Sequence, residues 1–171
     1  MYVSVIVHEE SGESRISGGI QMHKLDTAND AAKLLGFAKL FFGEENADVA
    51  MTLVEQVLTR AVESAATSPI PPGAERTLKL FRDAHDVLEK KELLRPKKMS
   101  RAAWRDATAN PSTGLQAIPA AQRETIILVK CIGFSYNEAA KIRNGPRGTV
   151  RSQINRASHV LAKEFGLVQT A

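Results

Sequence analysis

The stretch GFSYNEAAKIRNGPRGTVRSQINRAS, residues 133 to 158, decides how this chain is read. Ser135-Tyr136-Asn137-Glu138 fits a capping box, in which the Ser hydroxyl takes the backbone N–H three residues on and the Glu reaches back. The short helix it opens has Ala139, Ala140 and Ile142 to bury, and the small Ala side chains let a neighbouring helix cross closely. Asn144-Gly145-Pro146 makes a tight turn, with Pro146 suited to a helix start. The next helix, about 146 to 165, puts Val150, Ile154, Ala157 and Leu161 on one stripe at spacings of four, three and four. Arg147, Thr149, Arg151, Ser152, Asn155, Arg156 and His159 fall off that stripe, towards solvent. From Lys141 to Lys163 there are six Lys or Arg and no Asp or Glu.

A short capped helix, a Gly-containing turn and a longer basic helix describe a helix-turn-helix. In that motif the second helix enters the major groove and its N-terminal residues reach base edges. Arg donates two hydrogen bonds to guanine and Asn pairs with adenine, which suits Arg147, Arg151 and Asn155. Arg156 and Lys163, further along, are placed for phosphates. The competing reading is an ordinary pair of packed helices with a solvated basic face.

The whole chain sets the limits. Its 171 residues allow one good core or two small helical domains, and 43% hydrophobic content predicts a packed interior. Net charge is +4, modestly basic, and unevenly spread: residues 44 to 63 lean acidic, while Lys90 to Arg105 is basic with only Glu92 opposing. Such asymmetry fits a polyanion partner for the C-terminal part. No run of about 18 apolar residues exists, so no membrane span is expected. MYVSVIVHEESGES lacks the basic start and cleavage site of a signal peptide. Cys131 is the one cysteine, which excludes an internal disulfide and a Cys-based metal cage, and its apolar helix end predicts burial. A reducing, cytoplasmic setting is the simplest expectation.

Working outward, residues 115–167 form the C-terminal lobe, opening near Pro119 with Ile126, Ile127 and Val129 and closing at Gly133. Residues 95–114, RPKKMSRAAWRDATANPSTG, read as a flexible basic linker holding Trp104. Residues 27–94 read as a second lobe of three helices. The first starts at about Thr27 and stops at Gly43, the second runs from about 47 to 65 until SPIPPG breaks it, and the third from about 74 to 94. Residues 1–26 are an extension in which YVSVIV and RISGGI can pair as a β-hairpin, a frayed leader serving equally well. The fold class is therefore all-α, two small helical lobes on a tether.

Nothing here recommends catalysis. His8, His23, His85 and His159 are too scattered for metal-ligand spacing, and Glu44, Glu45 and Asp48 suit a solvated helix start. Ser135 has a capping role, and GESRISGG lacks the spacing of a phosphate loop. The expectation is a protein without enzymatic activity, cofactor or small-molecule substrate.

Ile118-Pro119, Gln122-Arg123-Glu124, Gly133-Phe134-Ser135-Tyr136, Glu138-Ala139-Ala140 and Gly148-Thr149-Val150-Arg151-Ser152 resemble region four of extracytoplasmic-function sigma factors. The flavour is that of the general-stress-response members. LLGFAKLFFG (34–43), TLVEQVLTRAV (52–62) and PGAERTLKLFRDAHD (72–86) resemble region two of the same family, with less fidelity. The resemblance implies a −35-type promoter element as the DNA partner, RNA polymerase core as the protein partner and transcription initiation as the function. An anti-sigma factor is a further partner it implies, and Leu53, Val54, Glu55 and Arg60 are the positions it marks for polymerase or anti-sigma contact.

The chain departs from the pattern at several points. Thr52 stands where an acid opens the second-region motif, Lys79 replaces a Trp, and His85-Asp86 replaces Arg-Asn. In the fourth region Gln153 and Ser158 replace Arg, and Gly145 stands where an apolar residue packs. A degenerate second region also resembles the sigma-like domain of regulators that sequester an anti-sigma factor. Those mimics carry a receiver domain, for which this length leaves no room, and tend to lose the GTV-R-S pattern kept here. A polymerase modulator encoded by a mobile element is the third reading.

Overall fold

The computed structural model describes residues 17–67, 73–94 and 114–164, and within them the chain is all-helical. Helix α1 spans Ser17–Phe42, and a 3₁₀ turn, Glu44–Asn46, leads into α2, Ala47–Thr67. Helix α3 is Ala74–Lys90. Further along the chain, α4 (Ala120–Ile126) runs directly into a π-helical turn, Ile127–Cys131. Helices α5 (Tyr136–Ile142) and α6 (Arg147–Glu164) complete the chain.

The first three helices pack because each carries an apolar stripe at helical spacing. Helix α1 buries Leu34, Phe37, Ala38 and Phe41, α2 buries Ala50, Leu53, Val54, Val57 and Ala61, and α3 buries Leu80, Phe81, Ala84, Val87 and Leu88. Asp30, itself buried, fixes α1 to α3 by accepting from Arg76 Nε and Thr77 Oγ1, each at 2.7 Å. Gly43 ends α1 at φ 89, a backbone conformation that favours glycine because it has no Cβ.

The two lobes share one continuous core. Phe81 of α3 meets Phe37 of α1 edge-on at 5.6 Å and Phe134, just before α5, at 5.0 Å. The π turn makes the second contact reachable. Its wider hydrogen bond, Ile132 N–H to the Ile127 carbonyl at 3.0 Å, is followed by Phe134 N–H to Leu128 at 3.0 Å. Five residues here complete less of a rotation than they would in an α-helix. Cys131 is consequently exposed, against the burial expected from its apolar neighbours.

Two helix ends also differ from the sequence expectation. Helix α1 begins at Ser17, ten residues before Thr27, so residues 17–20 of RISGGI are helical and cannot be a strand; residues 1–16 lie outside the described residues. Extending a helix already nucleated by packing costs little, so the helix continues back past the start expected at about Thr27. Helix α3 stops at Lys90, ahead of the expected Leu94. Glu92 adopts φ 58, with its N–H on Glu89 and that of Leu93 on the Leu88 carbonyl, each at 2.9 Å. This is a Schellman end built on a non-glycine residue, which the sequence gives no signal for. The linker and Trp104 lie outside the described residues, apart from Gly114.

Phe81→Ala removes a ring that touches aromatic partners in both lobes. We expect a loss of about 3–5 kcal/mol in urea unfolding, as for other buried Phe truncations.

Candidate nucleic-acid interface

The capping box of α5 is complete. Ser135 Oγ accepts from Glu138 N–H at 3.2 Å, and Glu138 Oε2 accepts from Ser135 N–H at 2.8 Å. Hydrogen bonding to the Glu138 carboxyl from the Ser135 side chain and from its backbone N–H holds that carboxyl below its ordinary value. Helix α5 ends in a second Schellman motif: Asn144 takes φ 45, its N–H reaches the Lys141 carbonyl at 3.4 Å, and Gly145 N–H reaches Ala140 at 3.0 Å. The left-handed position is thus Asn144, a residue that tolerates it, and not Gly145. The Pro146 carbonyl then accepts from Thr149 and Val150 and starts α6.

Helix α6 packs its stripe inward: Val150 and Ile154 are buried against α4 and α5, and Ala157 is fully enclosed. The opposite face presents Arg147, Thr149, Arg151, Ser152, Asn155, Arg156 and His159, all exposed. Arg147, Arg151 and Asn155 follow one another every four residues and form a single ridge. Ser152 turns its hydroxyl back onto the Thr149 carbonyl at 2.9 Å, so its donor is engaged within the helix. The side chain of Lys163 lies outside the described residues. A cleft of about 500 Å³ lies between Tyr136 and the start of α6, lined also by Arg147, Gly148 and Arg151. No acid occupies the first turn of α6, so the positive end of its dipole adds to these two cations.

Behind this face lies a polar network that sequence reasoning missed. Glu124 of α4, 1% exposed, accepts from Arg143 Nε at 2.8 Å on one oxygen. Its other oxygen lies 2.7 Å from His85 Nδ1 of α3. Arg143 also donates to Gln153 Oε1 on α6, and Thr125 Oγ1 donates to that same oxygen at 2.7 Å. One of the six cations counted between residues 141 and 163 therefore points inward. The one hint is Gln153, which interrupts the cations of α6, and nothing in the sequence marks Arg143 as the side chain it meets.

A second clasp crosses the same seam. Arg123 Nη1 donates to the Phe41 carbonyl at 2.6 Å, its Nη2 donates to the Gln116 and Ile118 carbonyls at 3.1 Å each, and its guanidinium lies 5.4 Å over the Phe41 ring. Burial pushes its pKa down to about 10, against the opposing charge of Glu45, so it stays cationic at neutral pH. Gln116 Nε2 donates to the Leu40 carbonyl at 3.2 Å.

In the first lobe the four positions marked for partner contact separate. Leu53 and Val54 are buried core residues of α2 and cannot meet a partner here, because their register faces α1 and α3. Glu55 is exposed and Arg60 partly so. Thr52 donates to its own helix at the Asp48 carbonyl, 2.9 Å away. Val49, Met51 and Val62 are exposed apolar side chains on the same helix, Val62 being 72% accessible. Among the described residues no cluster of His, Cys, Asp or Glu could hold a metal, and no helix is long and apolar enough to cross a membrane.

No family model matches the chain. It is 30% identical over 131 residues to the ECF RNA polymerase sigma factor EcfG of Rhodopseudomonas palustris (strain TIE-1), covering 68% of this chain and 71% of that protein. The sigma factor RpoE of Bartonella quintana, solved in complex with the anti-sigma factor NepR, has the same fold. The TM-score is 0.65 at 20% identity, over 87% of this chain and 99% of that one. The anti-anti-sigma factor PhyR of Bartonella quintana, also solved with NepR, superposes with a TM-score of 0.57 at 18% identity, over 82% of this chain and 49% of PhyR.

Two substitutions probe the scaffold of this face. Ser135→Ala should cost about 1 kcal/mol in urea unfolding. A carboxyl with a lowered folded pKa adds stability that is present above its unfolded value and lost as pH falls through the folded one. The stability gap between wild type and Ser135→Ala should therefore narrow as pH drops below the ordinary Glu value of 4.5. Arg143→Met leaves the buried Glu124 with His85 alone and should cost about 3 kcal/mol. Adding Gln153→Arg, which returns a cation from α6, should recover most of that loss.

Proposed function

The chain belongs to the extracytoplasmic-function RNA polymerase sigma factors, and we propose that it directs transcription initiation by reading a −35-type promoter element with α6. The observation that carries this is the division of that helix. Its apolar stripe is fully used in packing, while Arg147, Thr149, Arg151, Ser152, Asn155 and Arg156 stay exposed on a face without a single acid. Arg147, Arg151 and Asn155 read base edges, and Arg156 and Lys163 meet phosphates. Lobe one meets RNA polymerase core through the exposed part of α2 around Glu55 and Arg60. The protein acts as a non-enzymatic regulator.

An anti-sigma factor is a natural partner under this reading, since both solved relatives were captured with one. The PhyR likeness also supports a second role, sequestering an anti-sigma factor to free another sigma factor. Thr52 and Lys79, which depart from the second-region pattern, favour it. The intact basic face of α6 favours promoter binding, because a decoy has no use for it.

Footprinting with core polymerase on genomic fragments tests the first reading. Replacing Arg151 and Asn155 together by Ala should lower affinity for the selected site about 30- to 20,000-fold, two base contacts being worth about 1–3 kcal/mol each. Non-specific binding should fall far less, with the salt slope reduced by about 1 for the lost cation. An unchanged footprint in the double variant overturns it. Capture of an anti-sigma factor without any footprint would establish the second reading instead.

A further inference from the structure

His85 and Glu124 sit on opposite sides of the seam between the lobes, 5% and 1% exposed, with Nδ1 2.7 Å from Oε1. Arg143, the other partner of Glu124, belongs to the same lobe as Glu124 and stays with it however the lobes are placed. His85 is the partner that only docking supplies. It is also an imidazole, the side chain whose ordinary titration range lies near neutral pH.

We propose that the His85–Glu124 contact is a proton-dependent latch, closing the two lobes on each other when the imidazole is protonated and loosening them when it is not. The groups facing His85 are Glu124 from α4, Arg143 from the end of α5 and Glu89 from its own helix, two acids against one cation. Burial favours the neutral ring, yet the hydrogen bond and charge of Glu124 outweigh it, helped by Glu89 and opposed by Arg143, and the net effect raises the pKa. The sign follows directly. The latch is at full strength below the ordinary histidine value of 6.5 and fades as pH rises through the raised one.

The other contacts across the seam do not titrate in this range. Arg123 on the Phe41 carbonyl, Gln116 on Leu40 and the Phe81–Phe134 pair supply a constant attraction, which protonation of His85 tips. The exposed face of α6 lies away from the seam, so a closed chain still shows Arg147, Arg151 and Asn155. What the latch controls is how far that face can move from the Glu55–Arg60 surface of α2. The latch does not depend on which DNA, if any, the chain reads.

Small-angle scattering of the full chain without DNA, from about pH 5.5 to about pH 8.5, spans the histidine range and tests this. The radius of gyration should rise with pH in wild type, with a one-proton midpoint above the ordinary histidine value. His85→Gln keeps a donor but has no proton to lose, and its radius should stay flat across the range. A flat wild-type profile, or an equal rise in His85→Gln, overturns the latch. Circular dichroism at each pH reports whether the variant is folded. If it is not, NMR titration of the His85 ring in wild type decides, because titration out of step with the expansion overturns the proposal and coincident midpoints support it.

Discussion

A carboxylate taken out of water must be met by cations and donors, and the way Glu124 is met organises this molecule. Removing it from solvent costs several kcal/mol even after relaxation, and an unpaired charge there would not be tolerated. Its two oxygens are satisfied by Arg143 and His85, and Arg143 extends the network to Gln153 and through it to Thr125. One buried charge thereby holds together α3, α4, the end of α5 and the inner side of α6. Among the described residues no buried side-chain nitrogen or oxygen is left without a hydrogen-bond partner. Such a network favours one arrangement of the helices over others, because a shifted register would strand its members.

The end of α1 imposes a second constraint of the same kind. Its last four carbonyls have no partner within the helix and must find one elsewhere. Lys39 is met by Gly43 N–H at 2.9 Å and Phe42 by the Asn46 side chain at 2.9 Å, both within lobe one. Leu40 and Phe41 are met by Gln116 and Arg123, from the other side of the linker. Docking of the lobes therefore completes a helix end as well as a core. The cation of Arg123 also lies at the negative end of the α1 dipole, where a positive charge is favoured.

Local signals in the sequence made α5 and α6 legible. The capping box at Ser135 and Glu138, the Asn144-Gly145-Pro146 turn and the stripe of Val150, Ile154 and Ala157 each act within a few residues, and each has the geometry its pattern implies. The illegible parts depend on what lies across a seam or on a turn without its usual residue. An Arg in a basic run gives no sign that it points inward, and Arg143 does so because Glu124, nineteen positions away, needs it. Leu53 and Val54 matched a contact motif by resemblance, but their own hydrophobicity placed them in the core. Glu92 ended α3 without a glycine, and a π turn carried Cys131 out of the interior.

These placements change what the departures from the sigma-factor pattern mean. Gln153 reads as a lost cation on α6, yet its side chain faces α4 and takes up Arg143, so the exposed row of Arg147, Arg151 and Asn155 is untouched. Gln153 and Arg143 act together: the positive charge beside Glu124 comes from the end of α5, and Gln153 accepts from it. Gly145 belongs with them. The residue at this position of a Schellman turn commonly packs an apolar side chain back on the helix, and glycine forgoes that contact. Its backbone bond to Ala140 and the inward anchoring of the adjacent Arg143 hold the helix end in its place. His85, where the pattern has Arg, brings to the same carboxylate a group that can lose its proton. Gln153, Gly145 and His85 thus lie at or beside the network on Glu124, whereas Thr52 and Lys79 hydrogen-bond within lobe one and Ser158 is exposed on α6. The departures that meet Glu124 therefore bear on how the two lobes hold each other, and leave Arg147, Arg151 and Asn155 exposed.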